Sequence, residues 1–357
     1  MNNNITIREY REGDEVSIMK LRELVLSGSR DMKWWMWQFK QKPAGYASII
    51  VAEDGKSHEI IGHICNLPLR MKVNHDICQA ITSVDTMIHP DYRGLGIYGR
   101  LRTNLDKYNQ QKQFGYSWTG INMFRINQKQ RVRPVFKHMP FWIKPVKPDN
   151  IITRYFKRGY ILTGLALSIG RGIIKMTDRS RNYKIRTQVR DVREIDERFD
   201  TLWQQASSHH KIMMVRDRVY LDWRYVKKPD ADYTIYISED EGQLLGYIVL
   251  RIIQNNGLTV GWIADVLTNS KDSPAGMDLM CKAIQYFRMV DTDIIWCAMP
   301  PKAYLAPVLR KFGFLRVSKL RRGKERINCR TFTTKYSDSF LHNPNNWYLT
   351  RGDSDLI

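Results

Sequence analysis

Ile81–Leu105, with the sequence ITSVDTMIHPDYRGLGIYGRLRTNL, is the most informative segment of the chain. It reads as a strand from Ile81 to His89, a polar turn, a loop and then a helix. The loop Arg93–Gly99 contains three glycines, where a ligand can approach the backbone with no side chain in between. The helix after it is predicted to have one apolar face, with Ile97, Leu101, Leu105 and Tyr108. It turns its free N–H groups and the positive end of its dipole toward the loop. Together with the charge of Arg93, this pattern predicts a site for a pyrophosphate.

A dinucleotide-binding Rossmann unit is the first alternative for such a segment. It requires G-x-G-x-x-G directly after the strand and an acidic residue about 20 positions further on. Here a turn with Pro90 intervenes, Arg93 precedes the glycines, and Lys107–Gln113 contains no acidic residue. We therefore set this alternative aside.

The segment resembles motif A of the GNAT N-acetyltransferase superfamily, whose pattern is Arg/Gln-x-x-Gly-x-Gly/Ala after a strand. Arg93 and Gly96 match the first two fixed positions, and Tyr98 stands at the last. The resemblance implies that acetyl-CoA, or another acyl-CoA, is the cofactor, with loop amides on the pyrophosphate and strand main chain on the pantetheine arm. The residues implied to bind the cofactor are Met87, Ile88, Arg93, Gly94, Leu95, Gly96, Ile97, Tyr98, Gly99 and Asn127.

The segments after the helix are predicted to complete the site. Tyr116–Met123 reads as a strand parallel to Ile81–His89, as a right-handed strand-helix-strand crossover requires. In GNAT folds these two strands diverge, and the thioester meets the acceptor amine in the gap. Asn127–Phe141 resembles the motif B helix, with Phe136 where the family has the tyrosine that protonates the leaving thiolate. The general acid therefore has no assignment from sequence.

Asp85 is the carboxylate on the central strand beside the implied position of the thioester. Acyl transfer requires a neutral amine, and a carboxylate commonly removes its proton. A role in which Asp85 only bonds to a neighbouring loop is an equal alternative. No Ser/His/Asp or Cys/His constellation and no paired metal-ligand spacing accompanies it, so we expect no metal.

The N-terminal portion predicts a sheet leading to the central strand. It contains an aromatic segment, Lys33–Phe39, which we interpret mainly as core. The expected elements are a strand at Ile5–Tyr10, a helix at Glu15–Leu26, and strands at Ser48–Glu53, Glu59–Pro68 and Met71–Ala80.

The second half of the chain repeats the predicted elements of the first half approximately. A helix at Ala275–Val290 and a strand at Ile294–Met299 follow a loop, Thr268–Gly276, that has no Arg-x-x-Gly-x-Gly. The resemblance therefore implies an α/β fold (a mixed α+β sheet) of two tandem GNAT-like domains. Each would be a mixed, largely antiparallel sheet flanked by helices. The predicted boundaries are an N-terminal domain at 1–147 with the acyl-CoA loop, a basic connection at 148–190, and a C-terminal domain at 191–357 without a cofactor loop.

Composition limits the class of protein. A hydrophobic content of 43% is that of a globular chain, and the net charge of +21 is compatible with anionic cofactors, nucleic acid or an anionic membrane. No nucleic-acid-binding signature accompanies the charge. The five cysteines form no C-x-x-C pair, and no apolar signal segment is evident, so we expect a cytoplasmic protein. The longest apolar run, Ile161–Ile169, is too short for a membrane span.

Three functions remain open. The first is an acetyl-CoA-dependent N-acyltransferase acting on a primary amine of a small acceptor, such as an amino sugar or sugar nucleotide. The second is a transferase of the FemABX type, which takes its acyl group from aminoacyl-tRNA and would use the positive charge. The third is a non-catalytic acyl-CoA-binding GNAT protein. Retention of Arg93, Gly94 and Gly96 favours the first.

Overall fold

The computed structural model describes most of the chain. The described residues are 4–26, 28–129, 132–155, 172, 179–317 and 325–354. The apolar run Ile161–Ile169 lies outside them. The described residues form two compact units, which are Met1–Val135 with Lys227–Asp230 and Arg326–Asn343, and Phe136–Val226 with Ala231–Glu325 and Pro344–Ile357.

The first unit is a mixed sheet flanked by helices. Its strands follow the order β1-β2-β3-β4-β5-β15-β6, with β4 and β5 parallel and the neighbours up to β4 antiparallel. The elements are β1 (Ile5–Glu9), α1 (Asp14–Val25), α2 (Met32–Phe39), β2 (Ser48–Asp54), β3 (Ile60–Val73), β4 (Asp76–Ile88), α3 (Ile97–Asp106), β5 (Phe114–Thr119), α4 (Ile121–Lys129), β6 (Arg133–Phe136), and, from the end of the chain, β15 (Arg326–Thr331) and α10 (Asp338–Leu341).

The second unit has the same type of sheet. Its strand order is β8-β10-β11-β12-β13-β7-β14, and β12 and β13 are the parallel pair. The elements are β7 (Phe141–Pro145), α5 (Pro148–Tyr155), β8 (Gln188–Val192), α6 (Arg198–Ser207), β9 (Ile212–Met214), α7 (Arg218–Leu221) running into a π-helical turn, β10 (Thr234–Asp240), β11 (Gln243–Asn255), β12 (Leu258–Thr268), α8 (Ala275–Met289), β13 (Ile294–Ala298), α9 (Ala306–Lys311) and β14 (Leu315–Val317).

The two strand orders are equivalent, and in each sheet one strand is distant in sequence from its neighbours. β15 lies between β5 and β6 in the first sheet, and β7 lies between β13 and β14 in the second. Each is antiparallel to its neighbour, as the pairs Ile327↔Trp118 and Trp296↔Ile143 show. The compact units are therefore not contiguous in sequence, unlike the predicted domains 1–147 and 191–357.

The central helix has the predicted apolar face over most of its length. Ile97, Leu101 and Leu105 of α3 are buried and pack against β2 and β3. Tyr108, which we expected on the same face, is 39% exposed because the helix ends at Asp106. This packing fixes the start of α3 on the sheet.

Several predicted elements differ from the observed ones. Asn127–Phe141 is not a helix: α4 ends at Lys129, and two strands follow it. Pro134 and Pro140 explain the error, because proline interrupts a helix. The strand predicted as Tyr116–Met123 ends at Thr119.

The strands before the central one are also longer than predicted. The turn joining β3 to β4 is at Asn74, which has a left-handed φ of 54°, rather than near Pro68 or Ala80. Pro68 is tolerated within β3 because the last pair with β2 is Ser48↔Asn66, and the proline lies beyond it.

Candidate functional site

The parallel strands β4 and β5 pair over a short distance and then separate. Their register includes Ala80↔Phe114 and ends at Thr82↔Tyr116, whereas β4 continues to Ile88. Within the described part of the first unit, no pair between these strands follows Thr82. The edge of β4 from Ser83 to Ile88 therefore opens onto a gap, as the GNAT resemblance implied.

A β-bulge lies in β4 where the strands separate. Cys65 pairs with Val84 and His63 pairs with Met87, so Asp85 and Thr86 together face the single residue between the β3 partners. Asp85 has a φ of 45°, which is uncommon for a residue with a side chain. Such bulges bend and twist a strand and are frequent beside active sites.

The main chain after the bulge presents polar groups to the gap. His89 N donates to Ile61 O at 2.8 Å, which directs this N–H toward β3. Because successive N–H groups of a strand alternate in direction, the N–H of Ile88 points to the opposite edge. The buried Met87 pairs with β3. The resemblance implies that the main chain of Met87 and Ile88 holds the pantetheine arm. We infer that Ile88 is the one that supplies a free N–H.

The glycine loop is open at each of its glycines. Gly94 and Gly96 have left-handed φ values of 84° and 73°, and a Cβ atom on Gly94, Gly96 or Gly99 would meet nothing within 4 Å. Gly96 is the N-cap of α3 and has no side-chain capping bond. The first N–H groups of the helix therefore face open space, the arrangement that binds a phosphate.

The charge around this loop is positive. Arg93 is exposed, and its Nε donates to Ile88 O at 3.3 Å, which ties the loop to the end of β4. The first turn of α3 contains no acidic residue. Leu95 is 42% exposed. An anion at the helix N-terminus would meet no opposing carboxylate on α3.

A cleft with a volume of about 50 Å³ lies within the first unit between the separated strands. Two of the residues predicted to bind the cofactor, Tyr98 and Asn127, are in its lining. The lining residues are Ile81, Ser83, Thr86, Tyr98, Arg102, Gly115, Tyr116, Ser117, Thr119, Met123, Asn127, Val132, Asn328, Arg330 and Phe332.

A chain of hydrogen bonds ends on the wall of this cleft at Ser83. Asn109 Nδ2 donates to Asp106 Oδ1 at 2.8 Å, and Asn66 Nδ2 donates to Asn109 Oδ1 at 2.9 Å. Ser83 Oγ then donates to Asn66 Oδ1 at 2.7 Å. An ionised carboxylate only accepts hydrogen bonds, so Asp106 sets the direction of every bond in the chain. Ser83 therefore presents acceptor lone pairs to the cleft.

The two arginines of the cleft share one counter-charge. Arg330 Nη1 lies 2.9 Å from Asp106 Oδ2, and Arg102 Nε lies 3.0 Å from Asp106 Oδ1. These contacts keep the carboxylate in place at the end of the hydrogen-bond chain. Two guanidinium groups against one carboxylate leave a formal charge of +1 at the cleft, and the loop at Arg93 is also cationic.

Asp85, predicted as the general base, is not in the lining of the cleft. Its carboxylate Oδ2 lies 3.4 Å from Arg22 Nε of α1, and the guanidinium of Arg22 lies 4.7 Å from the ring of Trp34. Its backbone carbonyl accepts a hydrogen bond from His63 Nδ1 at 2.7 Å. Asp85 thus joins β4 to α1 and β3.

His63 is a buried imidazole that we did not identify from the sequence. Burial lowers the pKa of His63, so the ring is neutral, and its Nδ1 carries the proton because a carbonyl can only accept. Nε2 then has the lone pair, and it has no hydrogen-bond partner among the described residues. His63 pairs with Met87, next to the bulge, and its Nε2 is a candidate proton acceptor.

The corresponding place in the second unit is closed. Thr268 N, at the end of β12, donates to Tyr304 Oη at 2.9 Å. A Cβ atom on Gly276, in the first turn of α8, would lie 2.8 Å from Leu305 Cδ2. In the second unit, side chains of the same unit therefore occupy the positions that correspond to the open strand N–H and the open glycines of the first unit. This agrees with the absence of Arg-x-x-Gly-x-Gly from the loop.

Two features are absent from the part of the chain that the structure describes. No group of three or more His, Cys, Asp or Glu side chains there could hold a metal ion. No helix there is both long enough and apolar enough to cross a bilayer.

Comparison with known proteins agrees with this geometry. Residues 6–119 match the model of the acetyltransferase (GNAT) domain. No curated protein sequence matches the chain. The matched segment contains β1 through β5 and therefore the loop, the bulge and most of the cleft.

Similar solved structures extend over most of the chain. The N-myristoyltransferase of Saccharomyces cerevisiae with bound myristoyl-CoA aligns with a TM-score of 0.57 and 12% identity, over 92% of this chain and 83% of that one. A probable N-acyltransferase from Enterococcus faecalis has a TM-score of 0.64 and 9% identity, over 92% and 73%. A GCN5-related N-acetyltransferase from Anabaena variabilis has a TM-score of 0.59 and 12% identity, over 92% and 73%.

At such low identity these structures establish the fold of the chain, and the domain match assigns residues 6–119 to the GNAT family. The separated strands, the glycine loop and the domain match at residues 6–119 agree. Residues 6–119 are therefore a GNAT acetyltransferase domain.

Proposed function

We propose that this chain is an N-acyltransferase that takes an acetyl group from acetyl-CoA and transfers it to the primary amine of a small acceptor. The observation that supports this most strongly is the gap between β4 and β5 directly beside an open, cationic glycine loop. A domain with only a structural role would have no need of either feature. An amino sugar or sugar nucleotide is the acceptor class that we would test first.

In this proposal the loop and the gap hold different parts of the cofactor. The N–H groups at the start of α3 and the charge of Arg93 bind the pyrophosphate. The pantetheine arm enters the gap, where the N–H of Ile88 binds a carbonyl of the arm. Ser83, which offers only lone pairs, binds an N–H of the ligand. The cleft thus has one donor and one acceptor with fixed directions.

The chemical step transfers two protons. The neutral amine attacks the thioester carbonyl, the C–N bond forms, and the C–S bond breaks to give the thiolate. A base removes the proton from the amine, and Asp85 or the neutral His63 is the group that we propose for this role. Tyr98 and Tyr116 supply the phenol groups of the cleft, and we propose one of them as the acid that protonates the thiolate. Tyrosine-to-phenylalanine substitutions, read out as kcat, distinguish them: the donor's replacement lowers kcat without changing acetyl-CoA affinity.

The direct test is the double variant Arg93→Ala with Gly96→Trp. It removes the charge and fills open space at the loop, so we expect loss of measurable acetyl-CoA binding and of acetyl transfer. Gly242→Trp is the matched control, because Gly242 also has a left-handed φ, of 82°, and open space at its Cβ position. Unchanged acetyl-CoA affinity in the double variant would refute the loop assignment.

An aminoacyl-tRNA-dependent transferase is the second candidate function, and the net charge of +21 is the observation that favours it. Binding of tRNA would weaken steeply with salt. Retention of charged tRNA at 150 mM salt, combined with no affinity for acetyl-CoA, would support this candidate in place of the first.

A further inference from the structure

An open cavity in the second unit has a composition unlike that of the cleft in the first. It has a volume of about 410 Å³ and is formed by the loops after α6, β12 and β13 and by the segment after α10. Its lining residues are His209, His210, Lys211, Lys271, Pro300, Lys302, Ala303, Tyr304, Pro344, Asn345, Asn346, Trp347 and Tyr348.

Positive charge accumulates in this cavity without compensation. Lys211, Lys271 and Lys302 come from three separate loops and are exposed, and no carboxylate is in the lining. Within the described ranges, none of the three ammonium groups forms an ion pair. Arg102 and Arg330 of the first cleft differ, because both contact Asp106. Like charges brought together repel one another, and a bound anion would relieve the repulsion.

One wall of the cavity is aromatic and held in place. The His210 ring lies 4.4 Å from the ring of Tyr348 and 5.2 Å from that of Tyr304, centroid to centroid. Tyr304 accepts hydrogen bonds from Thr268, and Tyr348 Oη donates to Val266 O. Tyr348 is buried, whereas His210 and Tyr304 are partly exposed. Hydrogen bonds to β12 thus fix the two tyrosine rings. The exposed parts of His210 and Tyr304 form a surface on which a flat ring can stack.

We propose that this cavity binds a nucleoside diphosphate group, with its phosphates on the three lysines and its base against His210 and Tyr304. Lysines suit this role because each is a mobile point charge that can follow a flexible diphosphate. Aromatic walls bind bases with little regard to sequence, because every base has a flat face. The site lies within the second unit, and its existence does not depend on the function proposed for the first.

The test is calorimetric titration of the full chain with UDP, which lacks the adenine of coenzyme A. We expect one UDP site per chain, with an affinity that falls as salt increases. Inorganic pyrophosphate and uridine should each bind at least ten-fold more weakly than UDP. The triple variant Lys211→Ala, Lys271→Ala, Lys302→Ala should weaken UDP binding at least ten-fold, whereas the corresponding triple arginine variant should retain it.

Two controls separate this site from the acyl-CoA loop. The triple variant Lys20→Ala, Lys33→Ala, Lys56→Ala changes the net charge equally at exposed positions of the first unit, and it should bind UDP normally. Saturating acetyl-CoA and the Arg93→Ala, Gly96→Trp variant should also leave UDP affinity unchanged. Displacement of UDP by acetyl-CoA would place the nucleotide at the loop and overturn the proposal. So would equal binding of pyrophosphate and UDP, or no UDP binding at all.

Discussion

Gly62 of β3 lies under the glycine loop, and adding a single methyl group there should displace the loop. A Cβ atom there would lie 3.0 Å from Ala52 Cβ, 3.2 Å from Ile88 Cδ1 and 3.2 Å from Ile97 Cγ2. Ile88 ends β4, and Ile97 begins α3. The absent side chain therefore allows the two ends of the loop to pack on the sheet.

We predict that Gly62→Ala destabilises the first unit and weakens acetyl-CoA binding together. Overpacking of this kind costs about 1–3 kcal/mol. Burying one methyl group stabilises the folded state by about 0.8 kcal/mol, which is less than this overpacking cost. The neighbouring side chains must move by a few tenths of an ångström, and moving Ile97 moves the N–H groups that we propose bind the pyrophosphate. Urea unfolding should show the lost stability, and calorimetric titration should show the lost affinity.

Gly120→Ala is the control for this experiment. Gly120 has no positive φ and open space around its Cβ position, so its unfolding free energy should change by less than about 0.5 kcal/mol. If Gly62→Ala is as stable as the wild type and binds acetyl-CoA equally well, the loop is not positioned by this packing.

Two further predictions concern the hydrogen-bond chain of the cleft and a buried lysine. Ser83→Ala should raise the dissociation constant of acetyl-CoA or the KM of the acceptor several-fold, because a lone-pair acceptor is lost. It should also destabilise the first unit by about 1–3 kcal/mol, because the buried Asn66 Oδ1 loses its donor. Ser83→Thr should retain function and stability, and equal effects of the two variants would contradict the assignment. Burial lowers the pKa of Lys144, whose Nζ donates to Phe312 O at 2.8 Å, to about 8. Between pH 8 and 10 the unfolded chain then binds more protons than the folded one, so stability should rise with pH, by up to about 3 kcal/mol. Lys144→Met should abolish this rise in urea unfolding measured across that range, and an equal rise in the variant would show that another group causes it.

The local features of the site could be predicted from the sequence. The helix starting at Ile97, its buried face through Leu105 and the glycine loop follow from spacing and from backbone preferences that act within a few residues. The parallel crossover to β5 follows from the handedness of such connections. These are short-range or near-universal constraints.

The positions of β15 and β7 in their sheets could not be predicted, because each strand pairs with residues far away in the sequence. Arg326 pairs with Thr119 across about two hundred positions, and only the whole fold brings them together. The hydrogen-bond chain had no signal either, since Asn66, Asn109 and Asp106 form no sequence motif. The motif B helix was predicted by family resemblance, and Pro134 and Pro140 should have argued against it.

The account is tested most directly by calorimetric titration of the purified full chain with acetyl-CoA. It predicts saturable binding at one site per chain, lost in the Arg93→Ala, Gly96→Trp variant. Two sites would mean that the second unit retains a functional acyl-CoA cleft despite the bond between Thr268 and Tyr304. Absence of binding would contradict the central claim that the gap beside the glycine loop is an acyl-CoA site.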